Sequence, residues 1–453
     1  MPKNALGVAL LLKRYFRFIR IKTAVATQRA PLYFYHADKG YYFEDDEQLK
    51  DFIYIVCPSL TEKQASDVLY KIAHGSPLRE MQTDYTALGN MLYNSKLNTF
   101  EPFTPKVIVT RKINTNYNDK ATQPNINNWI PENWLLELFD NDLELVKLSI
   151  QMIKACITGE SLKKLFWLYG EGGTGKGTLQ QLIINLIGIE NVATLKITDL
   201  NKSRFTTSIL IGKSVVIGDD VQKDVLIKDT SDLFSLTTGD IMTIEEKGKK
   251  PYSLQLLMTV IQSSNGFPRM DGDESAINRR FRILPFSQKF KGKPNSAIKD
   301  DYINRKNVLE YILKLAIETP TEDINPKKSQ DLLNSYQEEI NPVIGFTRSL
   351  FTSELASEFL PNSFVYFLWK GYLVYYEYSS VKKENALHRE IKKHLPPNFK
   401  AGQRVIPAGR EQHIGFYPKE DIPFYANLTY SNGRQSPERR KNAKNERGYW
   451  KTE

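Results

Sequence analysis

One nine-residue string limits what this chain can fold into more than any other feature: GEGGTGKGT, Gly170 to Thr178. It stands between the apolar run LFWLY and the amphipathic run LQQLIINLIG, so a buried strand is expected before it and a helix after it. Glycines let the backbone turn tightly enough for its N–H groups to face phosphate oxygens, and a helix N-terminus adds the positive end of its dipole. Gly170, Glu171, Gly172, Gly173, Thr174, Gly175, Lys176, Gly177 and Thr178 are therefore candidate nucleotide-binding residues. Lys176 is the point charge for the β- and γ-phosphates. Gly177 stands where such a loop ordinarily places a Ser or Thr against Mg²⁺, which leaves Thr178 as the candidate metal-binding hydroxyl. The spelling GKGT also occurs in nucleotide kinases, where the loop lies near the start of a small chain; here some 170 residues precede it.

Beyond the loop, strands and helices alternate. Lys176–Ile187 reads as a helix, Ser214–Ile217 as a strand, Val225–Thr237 as mostly helical and Leu256–Gln262 as a strand. That alternation predicts the α/β class with a mainly parallel sheet. SVVIGDDV is an apolar run ending in Asp219 and Asp220; an acid at the carboxyl end of a strand beside a phosphate loop can hold Mg²⁺, and a second can orient a water. Asp219 is assigned to metal and Asp220 to water activation, a turn being the alternative. LMTVIQSSNGFP ends likewise in Asn265, whose amide can meet a γ-phosphate or hold the attacking water, against the alternative of a plain Asn-Gly turn. NRRFRILPF supplies Arg279 and Arg280, permanently charged and suited to a transferring phosphate, in trans if the chain forms a ring. TTGDIMTIEEKGKKPYSLQ reads as a β-hairpin with Lys247, Lys249 and Lys250 at its tip, either a solvated turn or a grip on a nucleic-acid backbone.

In this order the motifs resemble the superfamily 3 helicases, in particular the poxvirus and satellite-phage primase-helicase branch. GEGGTGKGT is similar to their Walker A segment, VVIGDD to Walker B, TTGDIMTIEEKGKKPYS to the B′ hairpin, TVIQSSNGFP to motif C and NRRFRILPF to the arginine-finger segment. FEPFTPKVIVTRKINTNYNDKA is similar to the stretch that introduces the ATPase, so the resemblance spans roughly residues 85–290. It implies an AAA+ P-loop ATPase core, a homo-hexameric ring, ATP and Mg²⁺, and movement on single-stranded DNA. Carried over, Lys176 and Thr178 bind nucleotide, Asp219 and Asp220 serve metal and water, and Asn265 senses the γ-phosphate. An arginine of the Arg279–Arg280 pair crosses the subunit boundary, and Lys249 or its neighbours touch DNA. Gly177, and Asp220 where many relatives have Glu, depart from the pattern.

The flanks complete the expected organisation: an N-terminal α+β domain over residues 1–113, a polar linker at 114–128, the ATPase at 129–290 and a helical lid at 291–342. A winged-helix-like domain follows at 343–430, then a basic tail at 431–453, expected to order only on DNA. The basic run after Ala5–Leu12, KRYFRFIRIK, is read as continuing an amphipathic helix. In the winged-helix-like part, Lys383, Arg389, Lys392 and Lys393 form the charged face of a second helix, and KAGQRVIPAGREQHIGFYP reads as two wing strands carrying Arg404 and Arg410, for duplex DNA or simply for solvent. The net charge of +10 favours polyanions, while Cys57 and Cys156, about a hundred positions apart and with no nearby His or Cys, suggest neither a disulfide framework nor a zinc site. Nothing is long enough to span a bilayer, so a cytoplasmic location without membrane contact is expected. The reading is thus an initiator helicase at a replication origin, served by a separate primase and replicative polymerase, with a nucleotide kinase or a DNA-binding switch without unwinding as alternatives.

Overall fold

The computed structural model describes residues 4–22, 30–223, 225–227, 229–247, 251–270, 274–290, 295–352, 359–376, 378, 382–406 and 444–452. It divides into two compact units, residues 1–333 and 334–453.

The first unit begins with α1 (Ala5–Tyr15), whose first turn is capped by the Asn4 side chain accepting from the Gly7 N–H at 2.8 Å. The helix does not continue through the basic run as expected. Phe16 is extended, and the aromatic and β-branched residues that follow form β1 (Phe18–Ile21), which suits them better than a helix. β2 (Leu32–His36) pairs with β1 and with β3 (Tyr41–Phe43), both antiparallel. Helices α2 (Asp46–Val56) and α3 (Glu62–His74) follow, the latter opened by a capping box of Thr61 and Gln64. β4 (Leu78–Arg79) then joins β1 in parallel. Val8, Leu12, Phe34, Ile53, Val68 and Ile72 make the core of this part.

A small antiparallel meander, β5 (Tyr85–Ala87), β6 (Leu92–Asn94) and β7 (Thr99–Glu101), leads to the main sheet. The expected linker 114–128 is packed rather than free. Thr115 Oγ1 donates to Leu186 O at 2.7 Å, Asn118 Nδ2 donates to Glu310 Oε2 at 2.9 Å, and Ala121 and Ile126 are buried. Its Asn and Thr side chains bond to groups of the sheet domain, which holds so polar a segment against that domain's surface. The helical run before the glycine loop is two helices, α4 (Pro131–Leu138) and α5 (Leu143–Thr158). Asp140 and Asn141 break it with φ of 54° and 58°, and Asp142 caps the second helix.

β8 (Leu165–Tyr169), α6 (Lys176–Ile187), β9 (Val192–Thr194) and β10 (Val215–Gly218) come next. Instead of the mostly helical Val225–Thr237, there is a two-residue strand, β11 (Leu226–Ile227), and α7 (Ser231–Thr238). β12 (Ile241–Ile244) and β13 (Tyr252–Gln255) pair as an antiparallel hairpin. β14 (Thr259–Ser264), β15 (Arg269–Met270), α8 (Glu274–Arg280) and β16 (Phe281–Pro285) follow. Five strands form one wholly parallel sheet in the order β16-β8-β14-β10-β9. All six residues of β14 are buried, as a strand covered on both faces requires. After α9 (Ser296–Asp300), α10 (Lys306–Glu318) buries Val308, Ile312, Leu313 and Ala316 in the core that also holds Phe166 and Leu182. That part of the expected lid is therefore a layer of the sheet domain. α11 (Lys327–Ile340) follows.

The second unit contains α12 (Pro342–Leu350), β17 (Leu360–Pro361), α13 (Asn362–Tyr375), α14 (Glu384–His394), β18 (Phe399–Ile406) and β19 (Lys444–Lys451). Its antiparallel sheet has the order β17-β19-β18. The expectation of a tail unstructured without DNA is overturned for its end, while residues 431–443 lie outside the described residues. Residues 444–451 are the middle strand, and Tyr449, 1% exposed, sits in the core with Phe346, Trp369, Ile391 and Phe399. The second strand expected for the wing falls outside the described residues; the partner that β18 shows is β19.

Candidate functional site

In an open parallel sheet, ligands bind beyond the carboxyl ends of the strands. Here three adjacent strands deliver polar residues to that end: the glycine loop after β8, Asp219 and Asp220 after β10, and Asn265 after β14. They line a cleft of about 310 Å³ together with Gly172 to Thr178, Ser263, Ser264 and Lys299.

The loop owes its shape to Gly175, which has φ 95° and lies so close to the Leu138 side chain that an added Cβ would stand 2.5 Å from its Cδ2. Gly172, Gly173 and Gly177 meet nothing within 4 Å on their Cβ side. α6 starts at Lys176, so its free N–H groups open onto the cleft. The Lys176 ammonium is buried; it donates to Gly170 O, to Glu171 O at 2.8 Å and to Asn265 Oδ1 at 3.3 Å. Burial pulls its pKa below the ordinary lysine value, and Asp219 and Asp220 partly restore it. Thr174 is buried, its hydroxyl donating to Glu171 O at 2.8 Å, while Thr178 is half-buried at the cleft wall. Glu171, on the outer side, pairs with Lys289 at 2.5 Å.

The two acids are placed by β14. Ser263 Oγ donates to Asp219 Oδ1, the Asp220 N–H reaches Ser263 Oγ at 3.4 Å, and the Val221 N–H donates to Ser263 O at 2.8 Å. Asp220 is thereby held at φ 52°, a left-handed conformation costly for most residues but tolerated by Asp and Asn. Gln262, fully buried, lies against Gly218, where a Cβ would come within 2.1 Å of its Oε1. Its amide accepts from the Ile197 N–H at 2.9 Å and donates to Leu195 O at 3.2 Å, tying the end of β9 to the site. Trp167 Nε1 donates to Ser264 Oγ at 2.8 Å. Sequence reasoning passed over Gln262, Ser263, Lys196 (whose Nζ donates to Asp220 O at 2.9 Å) and Lys299. The polar QSS ending an otherwise apolar strand was the available signal for the first two.

Arg279 and Arg280 are not brought to this cleft. They end α8 just before β16, at the opposite end of the sheet: Phe281 pairs with Leu165, five residues before Gly170. The distance along the strands is roughly 16 Å. The Arg280 guanidinium lies 4.6 Å from the Phe234 ring centre, Arg279 is exposed, and both line a second pocket with Lys163, Lys164, Arg282 and Asp323. Lys247 is exposed beside the hairpin β12–β13; Lys249 and Lys250 lie outside the described residues. In the second unit Arg389, Lys392 and Lys393 form an exposed stripe on α14, with Lys383 at its start and Arg404 exposed on β18; Arg410 lies outside the described residues. Cys57 and Cys156 are both buried and unbridged, and among the described residues no three His, Cys, Asp or Glu side chains gather as a metal cluster. No described helix is long and apolar enough to cross a membrane.

Three family models match: "D5 N terminal like" over residues 14–135, a family of unknown function (DUF5906) over 168–280, and "Poxvirus D5 protein-like" over 338–432. Among solved structures, the A-form apo structure of the NrS-1 C-terminal region is 15% identical with a TM-score of 0.50, and each chain is covered in full. A second A-form apo structure of that region, residues 305–718, is 14% identical with a TM-score of 0.50 and the same full coverage. At such identity the likeness shows a shared mixed α/β fold.

Proposed function

We propose that this chain, matched on both flanks by D5-type models, is an ATP-driven DNA motor that helps initiate replication of a phage, plasmid or other mobile element. It would hydrolyse ATP in the cleft at the end of β8, move on single-stranded DNA as a hexameric ring and separate the duplex. The observation that carries the reading is the convergence of Lys176, Asp219, Asp220 and Asn265 from three neighbouring strand ends on one cleft.

The residues suit a nucleoside triphosphate. The open Cβ sides of Gly172, Gly173 and Gly177 leave room for phosphates against backbone N–H groups, and Lys176 adds a positive charge among them. Asp219, oriented by Ser263, and the Thr178 hydroxyl would hold Mg²⁺, which when bound neutralises charge on the phosphate oxygens. Asp220 takes a proton from the attacking water as the water oxygen bonds to the γ-phosphorus. The bond from that phosphorus to the β–γ bridging oxygen breaks, and ADP leaves with the electron pair. Lys176 offsets charge on the leaving group, and the Asn265 amide positions the water or the γ-phosphate.

Arg279 and Arg280, at the far end of the sheet, would serve a neighbouring subunit's cleft. Lys247, Lys249 and Lys250 would hold the strand within the ring, and the α14 stripe with Arg404 and Arg410 would meet duplex DNA at the origin, the second unit acting as a winged helix. A separate primase and polymerase would then complete initiation. ATP turnover with and without single-stranded DNA tests the reading: DNA should accelerate hydrolysis. A nucleoside monophosphate that accepts the γ-phosphate would instead make the chain a kinase.

A further inference from the structure

A pocket of about 510 Å³ lies in the N-terminal part of the first unit, remote in sequence from every motif of the cleft. It is lined by Lys13 of α1, Phe16 and Arg17 between α1 and β1, Phe18 of β1, Tyr42 of β3, Arg79 of β4 and the loop bearing Lys106. Its charged lining residues are all cations: Lys13, Arg17, Arg79 and Lys106. Arg17, Arg79 and Lys106 are exposed, and among the described residues none has a carboxylate partner. Arg17 and Arg79 stand near enough to one hydroxyl, that of Tyr42, for both to favour its ionised form against the burial that raises its pKa. Like charges converging without an acid repel one another, and protein surfaces ordinarily intersperse the two signs.

The pocket is held by backbone anchors. Tyr42 OH donates to Pro105 O at 2.8 Å, fixing the loop before Lys106. The Arg20 N–H donates to Pro77 O at 2.9 Å and the Lys22 N–H to Arg79 O at 2.9 Å, fixing β4 against β1. Lys13 Nζ donates to Gly75 O, so α1 is tied to the turn after α3. Phe16 is mostly buried, its ring packed on Phe18, Phe34 and Phe52. Converging cations are the chemistry that holds nucleotide phosphates.

We infer that this pocket binds the phosphate of a nucleotide, carried on a DNA strand or free, at a site separate from the glycine-rich cleft. The inference does not rest on hydrolysis at Lys176. The test uses the full chain without ATP, reading the anisotropy of a fluorescein-labelled 20-mer of thymidine against salt, and separately the binding of a fluorescent ATP analogue.

Changing Arg17, Arg79 and Lys106 to Ala should weaken 20-mer binding about tenfold or more at low salt and lower the salt slope by about 2, at roughly 0.7 per lost contact. A charge-matched control, Lys63→Ala with Lys96→Ala and Lys120→Ala, should bind as the parent does. Arg17→Lys with Arg79→Lys and Lys106→Arg should recover most of the affinity. If the triple variant does not fold, Arg79→Ala alone carries the test, with a slope change of about 0.7. Loss of the 20-mer assigns a strand phosphate; loss of one of two ATP-analogue sites assigns a free nucleotide. Unchanged binding of both, or an equal loss in the control, overturns the inference.

Discussion

Lys176 Nζ lies 3.3 Å from Asn265 Oδ1, a contact between the residue that opens α6 and the residue that follows β14. Both are therefore aligned on the same small volume. Lys176→Ala should abolish ATP turnover. Asn265→Ala, which removes a single positioning amide, should cost about 10²–10³ in kcat with a smaller change in KM. Steady-state ATPase assays decide it; normal turnover in the lysine variant would remove the cleft from the mechanism.

Asp220 sits at φ 52° under the hold of Ser263. Asn tolerates that conformation as well as Asp does, so Asp220→Asn should leave the melting temperature nearly unchanged. It removes the proton acceptor, so hydrolysis should fall by about 10²-fold or more while ATP binding persists. Paired thermal-shift and single-turnover measurements check this.

Gly177 has open space on its Cβ side within the first turn of α6. Gly177→Ser should fold, gain up to about 0.5 kcal/mol of stability from the better helix propensity, and set a second hydroxyl beside that of Thr178. The Mg²⁺ concentration for half-maximal ATPase should rise, because the new side chain competes with Thr178 for the metal. If it falls instead, position 177 is the better ligand site and Thr178 does not hold the metal.

Ser263 acts through Asp219, to which its hydroxyl donates. Ser263→Ala should raise the Mg²⁺ requirement about 10–100-fold with a smaller effect on turnover at saturating metal. Ser263→Thr should restore it.

In the second unit His388 is 5% exposed and its Nδ1 lies 2.8 Å from Tyr449 OH. Burial lowers its pKa to about 4. The unfolded chain, with the ordinary value near 6.5, therefore binds the proton first as pH falls. Stability is full above about pH 6.5 and declines toward pH 4, by up to about 3 kcal/mol. Thermal unfolding of the second unit followed from pH 7.5 to 4.5 should show this fall, and His388→Phe should reduce it. Ending the chain at residue 443 should unfold the unit at any pH, because β19 is the middle strand.

Where periodicity and loop chemistry agree, the sequence was legible. LFWLY and the helix from Lys176 to Ile187 appear as expected because an all-apolar strand and an amphipathic helix flank a turn only glycines can make. The hairpin β12–β13 was readable for the same reason. What failed was wherever tertiary pairing overrode composition. The polar 114–128 stretch is held against the sheet domain because side chains such as Thr115 bond to its backbone, and β19 hides among charged residues that give no sign of a partner some 40 positions earlier. Within the cleft, Lys176, the acids and Asn265 were legible as strand-end residues, whereas Lys299 owes its place to the packing of a distant segment.

The most direct measurement of the central claim is separation of a forked DNA duplex by the intact chain with ATP and Mg²⁺ at low salt. Strand release should depend on ATP hydrolysis and be lost in Lys176→Ala. Vigorous DNA-stimulated ATPase activity with no release of strand from any fork would contradict it.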